Sequence, residues 1–412
     1  MRILKFLEYF LLSLLFLLAV QQYFFCPVYS FTTRKKFEGK KWYNPYSNLK
    51  HRNWGKYNFH AHTYAWNGIT NGKGSPEEVE RRYDSLNYKF AAVSNYHQIH
   101  PNSILPVYEH GFNFKKTHQQ VLGVEDIQWL DYFFPQTLSN KQHILNSLHP
   151  YNEGLTVLNH PRLRNGYDTA DMQQLDHFEL MEVLHPSVNS SLIWDAALSN
   201  GKPIFLVAND DFHNVFNTAE LARYCTFLAS DTINQEVILE QLKWGKSFGM
   251  EILSKLNESA LDKRLRVSKN LPSLLHATVS KNSFAGRFDS FADSAKIIGD
   301  EGKVLKVIYQ SDSFQYQMKK SDSYVRVEAF FKENANIYLN PIYRYTNHPL
   351  ENRIPINSIN TFSTILLKIF GTVLLSGWVL LTYILLFGHQ KRSFLPIYWN
   401  NRSPKQKPLW SK

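Results

Sequence analysis

Cysteine is scarce in this chain: Cys26 and Cys225 are the two in 412 residues. Two thiols cannot build a disulfide framework or a four-cysteine zinc module. A bridge between them is not expected, because Cys26 lies beside the apolar N-terminal segment. Any bound metal must therefore be held by His, Asp and Glu, a donor set suited to zinc, manganese or iron in a hydrolytic site. Acidic residues are also in deficit. The 46 Lys and Arg against 35 Asp and Glu leave a net charge of +11. Nucleic acid is one explanation of a basic chain, but much of the excess flanks apolar segments: Arg34, Lys35, Lys36, Lys40 and Lys41, then Lys391, Arg392, Arg402, Lys405 and Lys407. Basic residues at membrane ends contact lipid headgroups or set topology. The membrane is thus the expected partner, and nucleic acid is not. Internal repeats and low-complexity tracts are missing as well.

Long apolar runs are few. Residues 1–26 join a short basic start, Arg2 and Lys5, to an apolar stretch from Tyr9 to Val20 that resumes at Tyr23-Phe24-Phe25. No small-residue cleavage site is evident, so the segment reads as an anchor rather than a removed signal. The stretch Ile369–Phe387 carries no charge and is long enough to cross a bilayer as a helix. A transmembrane helix is expected over 362–388 and a basic tail over 389–412. The tail favours a cytoplasmic C-terminus, which places the middle of the chain outside the cytoplasm.

What is abundant lies between. A hydrophobic fraction of 44% with 15% aromatics can bury one large core and a smaller one. After a linker over 27–54, residues 55–260 alternate short apolar runs with helical patterns. Phe90–Val93, Leu155–Leu158, Leu180–Val183 and Pro203–Val207 have the texture of buried strands. Ser75-Pro76-Glu77-Glu78 reads as a helix start, with Ser75 as the N-cap, Pro76 at the first position and Glu78 closing a capping box. Repeated strand–helix units imply an α/β fold with a parallel sheet or a barrel, whose strand ends hold the site. Over 270–350 the texture changes. Tyr324–Phe330 alternates with period two, and Val304–Tyr309 is rich in β-branched residues. A small antiparallel β-sandwich is expected there.

Candidate ligands recur at strand ends. In His60-Ala61-His62 strand alternation puts both imidazoles on one face. Asp211-Phe212-His213 repeats the device, and the same alternation selects Asp211 over Asp210. Gly123-Val124-Glu125, His143-Ile144-Leu145 and His160-Pro161 lie between them.

The ordered series resembles the PHP family, the polymerase and histidinol phosphatase superfamily of metal-dependent phosphoesterases. His60-Ala61-His62-Thr63, the Ser75-Pro76-Glu77-Glu78 helix start, Phe90–Val93 ending in Ser94-Asn95-Tyr96-His97, Gly123-Val124-Glu125, His143, His160-Pro161 and Asp211-Phe212-His213 carry the likeness. It spans about residues 55–250. It implies a distorted (β/α)7 barrel with metals at its strand ends. By this resemblance His60, His62, Glu125 and Asp211 would hold a first metal. Glu125 would bridge to a second held also by His143 and His160, and His213 would belong to a third. Two cations sharing a carboxylate lower the pKa of a bound water and screen phosphoryl charge, so no serine or cysteine nucleophile is required.

The chain departs from the pattern at Asn95, Tyr96 and Asn67, where the family carries stronger ligands. A third site is therefore expected to be weak or absent. Arg162 and His185 are the candidate catalytic residues. Arg162 would grip phosphate bidentately, against a surface ion pair as the bland reading. His185 would serve as general acid or ligand support, against a plain strand-end role. Glu182 is expected to support the barrel. His100, His110, His118, His149 and His177 are expected on surfaces or loops. The function expected is a membrane-anchored hydrolase, a phosphoesterase using metal-bound hydroxide at a two-metal site on a phosphate-ester substrate. The alternative is a degenerate PHP-fold scaffold at the membrane.

Overall fold

The computed structural model describes residues 2–387 apart from 48, 50–53, 150–153, 231, 256–257 and 333. The basic tail expected over 389–412 lies outside the described residues. The chain divides into two units, Met1–Phe25 with Phe362–Lys412, and Cys26–Thr361.

The first unit is a pair of helices. Arg2–Val20 runs on through a π-helical turn, Gln21–Phe25, and Thr361–Phe387 is the second. By length and composition Leu4–Phe25 and Thr361–Leu386 are each apolar enough to cross a membrane. Phe16 stacks on Trp378 at 4.5 Å and Phe24 meets Phe370 at 5.6 Å, so the two helices run antiparallel.

The second unit is mixed α/β. Its first sheet has the order Phe205–Ala208, Leu180–His185, Leu155–Leu158, Gln119–Leu122, Val107–His110. The first three strands are parallel, and the last two are added antiparallel. The second sheet runs Leu274–Ser280, Ser283–Gly299, Tyr324–Phe331, Ala335–Leu339, Ser247–Ile252, Tyr224–Ala229, Trp54–Asn58, Tyr88–Ala91. Gly249 marks a close approach of the two sheets: a Cβ there would lie 2.3 Å from Leu206 Cδ1 and 3.2 Å from Ala208 Cβ.

The buried runs form the expected strands, and Ser75 and Glu78 make the reciprocal capping box with Pro76 at the helix start. The expected (β/α)7 barrel is corrected. Among the described residues the strands do not close into one barrel. An antiparallel hairpin, Val107–His110 with Gln119–Leu122, stands where a strand–helix–strand unit would continue the ring. The antiparallel strands of 274–345 extend the second sheet, because Ala335–Leu339 pairs along Ser247–Ile252. Cys26 and Cys225 are both buried as thiols, with no disulfide between them.

Candidate metal centre

The His60-Ala61-His62 and Asp211-Phe212-His213 segments lie side by side. Ala61 bridges Phe212 in parallel, and His62 N donates to Phe212 O at 2.9 Å. Ala61 and Phe212 are buried in the hydrophobic core, which turns the flanking side chains to the other face. The result is convergence. His60 Nε2 and His62 Nε2 are 3.3 Å apart. Asp211 Oδ1 is 3.1 Å from the first and 3.2 Å from the second. Backbone strain accompanies this placement: Asp211 has φ +40° and His160 φ +29°, the sort of distortion held at functional sites.

The remaining ligand-type groups come from neighbouring strand ends. Glu109 sits on Val107–His110. His118 precedes Gln119–Leu122, and His160 follows Leu155–Leu158. Glu182 and His185 belong to Leu180–His185. Glu109 divides its two oxygens. Oε2 is 3.1 Å from His62 Nε2, while Oε1 is 2.9 Å from His118 Nδ1 and 3.4 Å from both His160 Nε2 and His60 Nε2. His60, His62 and Asp211 form one group whose ligand atoms lie within 4.8 Å of one another; His60, Glu109 and His160 form another, and His160, Glu182 and His185 a third.

These spacings fit a metal. Donors at about 2.0–2.1 Å from one ion stand about 3.3–3.4 Å apart in a tetrahedron. Two lone-pair-bearing imidazole nitrogens facing each other at 3.3 Å would repel without a cation or a proton between them. Buried Glu109 Oε2 and Asp211 Oδ1 find no hydrogen-bond partner among the described residues, although buried oxygens are normally paired. Burial alone would lower the His60 pKa, but Asp211, Glu182 and Glu109 outweigh it and raise it well above the ordinary value. His62 is raised in the same way. Burial would raise Glu109, but His118 and His60 hold it well below the usual carboxylate range. Without an ion, protons on the imidazoles balance the carboxylates; metal binding would displace them.

A second layer fixes the ligands. His60 Nδ1 donates to Glu182 Oε1 at 3.0 Å, which leaves Nε2 as the lone-pair nitrogen. Asn209 Nδ2 donates to the same oxygen, and His160 N donates to Oε2, both at 3.0 Å. Glutamine cannot accept at both ends. Glu182→Gln is therefore expected to weaken metal binding roughly 10- to 100-fold, read by competition with a fluorescent chelator, with the fold retained by circular dichroism. Ser187 N donates to His185 Nδ1 at 3.1 Å, so His185 Nε2–H donates to Asp211 Oδ2 at 2.9 Å. His185 thus holds Asp211 with Oδ1 toward His60 and His62.

No family model and no curated protein matches the chain. Among solved structures it is similar to one from Bacteroides vulgatus ATCC 8482, described as a two-domain protein containing a predicted PHP-like metal-dependent phosphoesterase. The identity is 11%, the TM-score 0.38, and the match covers 75% of this chain and 99% of that one. The likeness is slight, and the metal centre is read from its own side chains.

Of the residues singled out in the sequence, His60, His62, His160, Asp211 and His185 meet here, and His213 stacks on His62 at 4.4 Å. Glu125 does not: it is exposed in the loop after Gln119–Leu122. His143 lies on the helix Leu138–Leu148 with Nδ1 2.7 Å from the Tyr132 hydroxyl. Arg162 is exposed, its Nη1 donating to Asn189 O at 3.4 Å. Glu109 and His118 stand where Glu125 and His143 were expected, and His118 is buried rather than on the surface. Asp210 is turned away, accepting from Tyr83 Oη and from the amides of Ala222, Arg223 and Tyr224. Asn95 spends its amide on Thr63, accepting from N at 2.9 Å and donating to Oγ1 at 2.8 Å. The Tyr96 ring stacks on His62 at 4.7 Å.

Proposed function

We propose that the chain is a membrane-anchored, metal-dependent phosphoesterase whose catalytic unit faces outside the cytoplasm. The observation that carries this reading is the position of Glu109: Oε2 faces His62, while Oε1 faces His118 and His160 and reaches His60 as well, so that one carboxylate stands among both sets of imidazoles and could serve two cations. His60, His62 and Asp211 would hold one ion and His118 and His160 the other, with zinc, manganese and iron all compatible with these donors. Bound divalent ions supply Lewis acidity that lowers the pKa of water and screens the phosphoryl oxygens.

The chain's own groups do the rest. Glu182 keeps the His60 proton on Nδ1. His185 orients Asp211. Burial, reinforced by Glu109 and Asp211, pushes the Tyr96 phenol pKa upward, so its hydroxyl stays protonated beside Glu109. Lys116, with Nζ 5.7 Å from the Tyr96 ring centre, adds positive charge beside it. The commitment of Asn95 to Thr63 favours a two-metal over a three-metal site, and it also motivates the second reading, a metal-binding scaffold without turnover.

The test uses the full chain in detergent. Metal content should approach two ions per chain. Hydrolysis of p-nitrophenyl phosphate or bis-p-nitrophenyl phosphate should vanish with EDTA, return with Mn²⁺ or Zn²⁺, and be lost in His60→Ala. Hydrolysis indifferent to EDTA would sink the metal-dependent reading. Stoichiometric metal without turnover of either ester would select the scaffold.

A further inference from the structure

Four exposed rings gather on the Cys26–Thr361 unit. Phe112, Phe114, Trp129 and Phe133 are 53%, 65%, 60% and 42% exposed. Phe112 and Trp129 both stack on His97, at 4.4 and 5.2 Å. Phe133 meets Phe114 edge-on at 5.5 Å. The two loops that carry these rings are tied together: Asp131 Oδ2 accepts from Phe112 N at 2.6 Å, and Leu130 O accepts from His110 Nε2 at 2.8 Å. Clustered apolar exposure on a folded unit marks a contact with another protein or with a membrane.

The course of the chain selects the membrane. Between the exposed Trp129 and Phe133, Leu130 and Tyr132 turn inward and pack in the apolar cluster that holds Cys26. The Tyr132 hydroxyl and Cys26 Sγ both approach His143 Nδ1, at 2.7 and 3.8 Å. Cys26 directly follows Phe25, the end of the first apolar span, so their Cα atoms are about 3.8 Å apart. The other chain end leaves nearby. Tyr29 pairs with Ile359, two residues before the second span begins at Thr361. Tyr29 N donates to Ser139 Oγ at 3.2 Å, and its hydroxyl accepts from Asn146 Nδ2 at 3.1 Å. Both partners belong to the helix Leu138–Leu148, which follows the loop of Trp129 and Phe133. Charge gives no rival pull: Lys115 is exposed beside Phe114, but Glu125 and Asp126 are exposed on the loop that leads to Trp129.

We infer that Phe112, Phe114, Trp129 and Phe133 dip into the headgroup zone of the bilayer that the apolar helices cross, giving the Cys26–Thr361 unit a second hold on the membrane. The inference rests on the membrane-anchored reading above. Aromatic rings gather at that level of a bilayer because they offer apolar area to a zone that still hydrates polar neighbours. Phe112 is also 6.0 Å from Tyr96, which stacks on His62, so this contact would hold the metal centre close to the bilayer surface.

The experiment reconstitutes the full chain into phosphatidylcholine vesicles that carry a nitroxide high on the acyl chains. Phe114→Cys and Phe133→Cys are each labelled with the fluorophore NBD. Phe291→Cys, at an exposed ring on the strand Ser283–Gly299, is the control, and the unsubstituted chain treated alike sets the background. NBD at 114 and at 133 should be quenched several-fold more than at 291, and added salt should leave the difference unchanged, because rings rather than charges make the contact. Equal quenching at the three positions, or none, would overturn the inference. So would quenching that needs phosphatidylglycerol and fades with salt. NBD emission that shifts to the blue with chain density but is not quenched would give the face to a second copy of the chain and overturn it too. A chain that does not float with the vesicles would sink the anchoring reading and this inference with it; floating without quenching at 114 and 133 would sink this inference alone.

Discussion

Glu109→Gln is expected to empty the metal centre and lower hydrolysis roughly a thousandfold, while Glu125→Gln leaves metal content and rate unchanged. Metal supplies several kcal/mol of charge stabilisation, and at about 1.4 kcal/mol per tenfold this is on the order of a thousandfold. The two carboxylates differ in everything but chemistry. Glu109 is fully buried and faces His60, His62, His118 and His160. Glu125 is exposed. Glutamine at 109 would present a neutral amide that accepts at one end and donates at the other, where two acceptor oxygens are needed. Metal analysis of the purified variants, together with kcat/KM on p-nitrophenyl phosphate, decides the matter. Loss of metal in Glu125→Gln with retention in Glu109→Gln would overturn the assignment of the shared carboxylate.

The pair also shows where the sequence stops speaking. His60 and His62, Asp211 and His213 are legible because alternation along a strand is local, and the Ala61–Phe212 bridge only lays two legible motifs together. The Ser75 capping box is legible for the same reason. Glu125 misled because Gly123, at φ +76°, turns the chain as a strand end would, but the following residues leave the sheet. His143 precedes an apolar pair simply because Ile144 and Leu145 are the buried face of a helix. A better signal was present: Val107-Tyr108-Glu109-His110 is a wholly buried strand with a carboxylate inside it, and a buried charge must be paired. The barrel was over-read because pairings such as Met250 with Ile337 join distant segments, and no local pattern encodes such partners.

Arg326→Met should destabilise the Cys26–Thr361 unit by roughly 3–5 kcal/mol, or roughly 4–7 °C in Tm for a unit of this size. Arg326 is fully buried on the strand Tyr324–Phe331. Its Nε and Nη2 donate to the two oxygens of Asp195, each at 2.7 Å, and Nη1 donates to Glu328 at 2.6 Å. The guanidinium also lies 4.9 Å over the Trp194 ring. Burial would lower the Arg326 pKa, but Asp195 and Glu328 raise it, so the side chain is charged at every accessible pH. Removing it leaves Asp195 buried with the Tyr324 hydroxyl, 2.9 Å away, as its remaining side-chain donor. Asp195 belongs to the helix Ser191–Ser199, so the pair ties that helix to the second sheet. The loss therefore comes from an orphaned charge, not from the bond alone. It follows that Arg326→Met with Asp195→Leu should cost less than Arg326→Met by itself, because the double variant buries no uncompensated carboxylate. Thermal unfolding of the wild type and the two variants decides it: a double variant that loses as much as Arg326→Met or more would overturn the orphaned-charge account.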